Sequence, residues 1–391
     1  MLSNQNRVRL DNTRKYMRKE EIRGLVIYLL MILAAIIIGF TVIRNQMSLY
    51  GPEKMSPLLF IIIVLVVAYL FNVIGLEILH VLGSIAGGYK ITGVNILGFG
   101  FYKKGNEFKF SFRDFNGISG ETKIAPKKEK LNPNLQTWFP LFGFAIELGA
   151  CIVVASIIKS NPNPKTPWLV PASTIILLIA CMLAFYNFVP LKLDSETDGY
   201  KIRLFTNPIN IKAYNQMLEI QEKKRLGEDV EEIPTFEEIT EYTAEINTLA
   251  MYKYLEVEKF DDAEKIMDKL LESKKFMSMN DHNRLVAQKL YLVILTKPLD
   301  EAKKLYDELA PTEVRRFIAN DVSMASIRAY IMIAGMIEGS ESEVMFAKSK
   351  IEKAKKRALA SEIIAEEKLL EKAINHVYEA HPKWEKEKVA E

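Results

Sequence analysis

Four apolar runs dominate this chain and limit what it can fold into: about Leu25 to Ile43, Pro57 to Leu82, Trp138 to Ile158 and Trp168 to Pro190. Each is close to or above the roughly 20 residues that carry an α-helix across a bilayer. Hydrophobic residues make up 49% of the 391, yet mean hydropathy is only +0.04, so apolar and charged stretches are segregated along the chain. The first run follows about two dozen polar residues and lacks a small-residue cleavage site, which makes it a retained span and not a signal peptide.

Lysine and arginine set the expected orientation. The leader carries Arg7, Arg9, Arg14, Lys15, Arg18, Lys19 and Arg23, and the segment between the second and third runs is equally basic, whereas the stretches 44–56 and 159–167 hold two basic residues each. By the positive-inside rule both termini lie in the cytosol. Trp138 and Trp168 each open a run, where interfacial aromatics are expected. The only cysteines, Cys151 and Cys181, fall inside runs, so neither a disulfide framework nor a CxxC metal knuckle is available.

Polar residues inside a span are costly and mark functional sites by default. Glu77 and His80 in the second run, Glu147 in the third and Asn187 at the end of the fourth all enter from the cytosolic side at comparable depth, so a meeting of the four is expected. Glu77 and His80 belong to Leu-Glu-Ile-Leu-His, residues 76–80. This is the HExxH zinc-hydrolase pattern, in which two imidazoles four residues apart bind the metal and the glutamate activates its water. Here Leu76 stands in place of the first histidine. The bland readings are that His80 is a packing residue, that Glu77 snorkels to the interface and that Glu147 is protonated.

Residues 187–200 read Asn-Phe-Val-Pro-Leu-Lys-Leu-Asp-Ser-Glu-Thr-Asp-Gly-Tyr. With the first motif, this stretch resembles the site-2 proteases, intramembrane zinc metallopeptidases with an HExxH helix and a downstream NxxP…DG motif. Asn187, Pro190, Asp198 and Gly199 match that second motif, and the extra residues before Asp-Gly resemble a subgroup from Gram-positive bacteria. Gly88-Tyr89-Lys90, Ile96-Leu97-Gly98-Phe99, Asn116 to Pro126, and Asn207-Pro208 with Ala213 to Gln216 resemble further stretches of that subgroup. The resemblance implies that Glu77 is a vestigial general base and His80 and Asp198 are residual zinc ligands. It also implies that Leu76 marks the missing ligand, and that Asn187, Pro190 and Gly199 position substrate. It places Glu147 where the family usually carries an asparagine, and the protein in a bacterial cytoplasmic membrane.

Catalytic zinc keeps three protein ligands and one open position. His80 and Asp198 are two, and the other histidines, His282, His376 and His381, lie in the distant tail. No cofactor is therefore expected. The alternative is a weak or altered zinc site in which Glu147 replaces the lost imidazole, since carboxylates also ligate zinc.

Between the second and third runs, Val94 to Phe101 and Phe108 to Phe112 alternate as strands about a Lys-Lys-Gly-Asn turn, within a small sheet at about 90–125. In the proteases resembled, such strands lie at the membrane surface and pair with an unwound substrate by edge addition. Taken alone they form an amphipathic sheet whose basic border suits anionic lipid headgroups.

From about Phe236 the chain is helical and highly charged. Lys259 to Glu264 followed by Ile266, Met267 and Leu270 recurs as Pro298 to Lys303 followed by Leu305, Tyr306 and Leu309, 39 residues on. These resemble second helices of tetratricopeptide-like repeats, whose usual period is 34. Helices at about Ser326 to Met336 and Glu341 to Arg357 add a third unit, and Ser361 to Ala380 a last amphipathic helix. Such an array either presents a partner-binding groove or packs on itself as a bundle.

The expected fold is mainly α: a polytopic membrane protein with about four transmembrane helices, a small membrane-associated β-sheet and a cytosolic α-helical repeat domain. Its parts are a basic leader (1–23), a membrane domain (24–206), a linker helix (207–235) and the repeat tail (236–391). No phosphate loop, dinucleotide fingerprint or nucleophile triad is present, and the mixed charge of the tail gives no support for nucleic-acid binding. The reading is a pseudoprotease whose partners are a transmembrane protein or peptide, membrane lipid and, through the tail, a cytosolic protein. Its rivals are an active protease using Glu147 and a scaffold that acts only through its tail.

Overall fold

In the computed structural model of the chain, the described residues are 19–386 apart from 97, 105–106, 113–119, 128–129, 192–195, 229 and 357–359. Outside them lie most of the basic leader, Leu97, the Gly105-Asn106 turn and residues 116–119 of the glycine-rich stretch. The chain is about 75% helical. It divides into two compact units, Met1–Leu226 and Gly227–Glu391.

The first unit holds four helical segments long and apolar enough to cross a membrane: Ile22–Tyr50, Pro57–Ala86, Pro133–Ser160 and Leu169–Phe188. The first is built from α1 (Lys19–Ile38), a π-helical turn (Gly39–Ile43) and α2 (Arg44–Tyr50); the others are α3, α4 and α5. Pro57 opens α3 at its first turn, where a missing N–H costs nothing, and Gly88 at φ +93° ends it in a conformation that suits glycine. Asn132 caps α4 by accepting a hydrogen bond from the Asn134 N–H at 3.1 Å. α5 stops at Phe188 because Val189 precedes a proline, which forces it into an extended conformation.

α3 and α4 pack closely because glycines alternate across their interface. A Cβ at Gly83 would lie 2.8 Å from the Phe139 Cβ, one at Gly143 would lie 2.5 Å from the Leu79 Cδ2, and one at Gly75 would lie 3.5 Å from the Glu147 Oε2. Each partner pair is displaced by four residues on both helices, so one bulky side chain per turn fits a notch opposite.

Between α3 and α4 lies an antiparallel sheet of β1 (Tyr89–Ile96), β2 (Phe99–Lys104), β3 (Glu107–Phe112) and β4 (Glu121–Pro126), in the order β3-β2-β1-β4. The strand expected over Val94 to Phe101 is in fact two: Gly98 adopts φ +86°, and the chain reverses there between β1 and β2. After α5 come α6 (Asp198–Leu204) and α7 (Pro208–Leu226). The stretch read as a linker helix packs on this unit: Tyr89 donates to the Asn215 Oδ1 at 2.7 Å and Tyr214 to the Gln136 Oε1 at 2.9 Å. At its end, Glu222 pairs with Lys90 at 2.8 Å and Arg225 at 2.6 Å, and Arg225 also reaches the Lys103 carbonyl at 3.1 Å.

After a non-helical start, the described residues of the second unit from Glu241 on are mainly helical: α8 (Glu241–Glu256), α9 (Phe260–Glu272), α10 (Met279–Thr296), α11 (Leu299–Leu309), α12 (Thr312–Asn320) and α13 (Met324–Met332). Beyond a π turn follow α14 (Glu341–Ser349), α15 (Ile351–Lys355), α16 (Ala360–Ala380) and α17 (Pro382–Lys386). The recurring pattern falls on α9 and α11, whose Ala263 and Ala302 are fully buried where helices approach. At the centre Arg328 of α13 is 0% exposed. It donates to the Gln288 Oε1 of α10 at 2.6 Å, pairs with Glu366 of α16 at 3.2 Å and stacks over the Tyr291 ring at 4.2 Å.

Candidate functional site

The residues of the two motifs meet where the C-terminal third of α3, the strand β4 and the first turn of α6 converge. Leu76, only 3% exposed, packs with Phe144 of α4 and Ala184 of α5, flanked by Leu148 and Leu183. Leu76 is thus a knob in an apolar cluster drawn from three helices.

One residue further on, Glu77 is also 3% exposed, and its Oε2 accepts a hydrogen bond from Thr122 of β4 at 2.7 Å. Gly120 lies directly on the Glu77 side chain, with no room for a Cβ. Strand β4 therefore covers the glutamate.

One turn beyond Leu76, His80 faces Asp198. Its Nε2 lies 3.1 Å from Oδ1 and 3.0 Å from Oδ2 of the aspartate, while Nδ1 sits 3.8 Å from the Glu77 Oε1 and has no hydrogen-bond partner. The corner after α5 delivers Asp198. Pro190 follows the end of that helix, and Thr197 ties the corner by donating to the Val189 carbonyl at 2.8 Å and accepting from the Leu191 N–H at 3.1 Å. Gly199 passes so close to the Phe188 carbonyl that only glycine fits. Asp198, 4% exposed, then opens α6.

Lys201, on the next turn of α6, belongs to the same electrostatic neighbourhood. Burial pushes its ammonium down, but the attraction of Asp198, with that of Tyr214, Glu196 and Glu77, outweighs burial and holds it above the ordinary lysine range.

Two of the expected members stand apart. Asn187 turns back on its own helix, donating to the Leu183 carbonyl at 2.9 Å. Glu147 faces Gly75 and not His80; its Oε1 is buried without a hydrogen-bond partner. Five residues separate Gly75 from His80, about 7 to 8 Å along the helix at roughly 1.5 Å per residue. Glu77, His80 and Asp198 are brought together; Glu147 and Asn187 are not joined to them.

Among the described residues no group of three histidine, cysteine or acidic side chains is placed to hold a metal ion. His80 and Asp198 satisfy each other, Leu76 offers no donor, and Glu77 faces the opposite ring nitrogen of His80 and is engaged by Thr122. These residues do not supply the three ligands of a catalytic zinc. The contacts that sequence reasoning missed are those of Gly120, Thr122, Thr197 and Lys201. Gly120 and Thr122 lie in the glycine-rich stretch singled out above, but their bearing on Glu77 depends on the register of β4. Comparison with protein-family models, curated proteins and solved structures found no match to this chain.

Proposed function

We propose that this chain is a membrane-embedded pseudoprotease, built like a site-2 protease and acting by binding instead of hydrolysis. One observation carries the reading: Leu76 is packed into an apolar cluster while His80 and Asp198 bond directly to each other. A hydrolase of this kind needs a metal-activated water, and Glu77, sealed under β4, has none to activate.

In this reading the four apolar helices span a bacterial cytoplasmic membrane, with both termini in the cytosol. What remains is a holding architecture. β4 pairs with β1 on one side only, so its other edge can take up an unwound segment of a single-span membrane protein or peptide next to Glu77. The second unit recruits a cytosolic partner.

The test is elemental analysis of the full chain purified in detergent. Zinc well below one equivalent per chain, unchanged by Asp198→Ala, supports the proposal. Stoichiometric zinc that is lost in Asp198→Ala overturns it, and loss in Glu147→Gln as well establishes the rival active site. The scaffold reading is favoured by the separate, well-filled core of the second unit. It is upheld if residues 230–391 alone capture every partner that the full chain captures.

A further inference from the structure

Glu147 sits in the middle of an apolar helix and is not absorbed by the junction of His80 and Asp198. It stands fourteen residues from the start of α4 and thirteen from its end, so about 20 Å of helix separates it from either end at roughly 1.5 Å per residue. Its Oε1 is buried without a hydrogen-bond partner, and its Oε2 lies beside Gly75 of α3, which has no side chain to meet it. The lysines and arginines of the four apolar segments are Arg23, Arg44 and Lys159, each within two turns of a segment end, and His80 is engaged by Asp198. The segments therefore hold no cation for this acid. An ionisable group at such depth is costly and marks a functional site whose expected partner is the opposite charge.

We infer that Glu147 and Gly75 form a docking point for a second transmembrane helix that carries a lysine or arginine near mid-length, its cationic group reaching Glu147 through the seam between α3 and α4. The inference rests on the reading that the apolar helices cross a bilayer and hold a membrane-embedded partner. It names the chemistry of that partner, and it stands whether or not the partner is cut.

Three observations select such a helix. The first is space: a Cβ at Gly75 would meet the Glu147 carboxyl alone within 4 Å, at 3.5 Å from Oε2, which is ordinary contact. Alanine would fit there, unlike at Gly83 and Gly143, so the packing of α3 on α4 does not account for a glycine that costs helix stability. What the glycine leaves is a notch beside the acid. The second is access. Glu147 is half-buried and not sealed, and its flanks are turned outward, with Phe71, Ile74 and Ile78 of α3 and Ile146 of α4 between 42% and 63% exposed. An apolar helix can lie on these side chains. Depth is the third: a headgroup amine or a dissolved ion does not reach a carboxyl about 20 Å from either helix end, so the cation has to arrive on a membrane-embedded segment.

The test uses the full chain in phosphatidylcholine nanodiscs at neutral pH, titrated with two fluorescent transmembrane peptides of leucine and alanine. They are identical except that the central residue is lysine in one and leucine in the other, and binding is read by energy transfer. The lysine peptide is expected to bind about tenfold more tightly, the effect of roughly one interhelical hydrogen bond. Glu147→Gln is expected to erase that margin while leaving the affinity of the leucine peptide as it was. Gly75→Leu, which fills the notch and keeps the acid, is expected to erase it too. Equal affinities of the two peptides for the parent chain, a comparison that needs no variant, would overturn the inference, because the acid would then be protonated or idle. A margin that survives either substitution would place the cation on another acceptor and overturn it as well. The same samples are read for cleavage by mass spectrometry. A cut peptide would defeat the pseudoprotease reading and leave the lysine preference intact, so the two failures are separable.

Discussion

Each unit of this protein buries a small polar cluster, and the two clusters differ in a way that separates a site from a strut. In the second unit Arg328 sits inside one continuous core, and its partners Gln288, Tyr291 and Glu366 project from neighbouring helices around it. In the first unit, Glu77, His80, Thr122 and Asp198 come from a helix, a strand and a turn, and they meet at a seam between these elements. Burial is similar, but a charge amid one core is a packing device, whereas polar groups at a junction of three elements can be reached when one of them moves.

The largest effect expected from breaking this contrast is at Leu76. Leu76→His adds a third donor one turn from His80, and zinc content is expected to rise from substoichiometric to about one per chain by elemental analysis. Free zinc at a hundred times Kd then stabilises the variant by about 2.7 kcal/mol, seen as a metal-dependent rise in Tm that the parent chain lacks. Next comes the strut: Arg328→Ala strands Glu366 and Gln288 in the core and is expected to cost roughly 3 to 5 kcal/mol, measured by denaturant unfolding of the full chain. At the junction, His80→Ala and Asp198→Ala are expected to be non-additive, with a coupling of roughly 0.5 to 3 kcal/mol in a double-mutant cycle. A chelator should leave that coupling untouched.

A smaller effect is expected from pH. The hydrogen bond from Arg225, helped by Lys90, holds the Glu222 carboxyl at about 2, against an ordinary 4.5. A depressed carboxyl stabilises the fold fully above its unfolded value and loses that contribution as pH falls through the folded one. Amide exchange in β1 should therefore be slower in the parent chain than in Glu222→Gln at pH 6, and the difference should shrink from about pH 4.5 down to about 2. The smallest effect is at Glu77, where Glu77→Gln keeps an acceptor for Thr122 and should change stability by less than about 1 kcal/mol. A working protease would lose its activity with that change.

Much of the fold was legible in the residues. Hydropathy alone marks the four long helices, and Pro57 and Pro190 mark where one begins and another has just ended. The patterns around Ala263 and Ala302 mark two amphipathic helices, α9 and α11, each with its alanine buried. Two kinds of information were not legible. Depth within a span could not be read to better than a turn: Glu147 looked level with His80, yet the four-residue steps of Gly83, Leu79 and Gly75 against Phe139, Gly143 and Glu147 carry it past the histidine. Contacts across long separations were the other. The bond from Thr122 to Glu77 depends on strand register, and the anchoring of α7 on β1 depends on Tyr89, Lys90 and Glu222, residues whose local context shows only an aromatic ring and surface charges. A reversal at Gly98 was likewise hidden inside an apolar run that reads as one strand.

The most direct measurement is a cleavage assay: the pure, unmodified chain in detergent is incubated with a synthetic transmembrane segment, with and without a chelator, and the products are read by mass spectrometry. Intact segment under both conditions, together with its retention on the immobilised chain, is the result this account expects. Cleavage that stops when the chelator is added would contradict it.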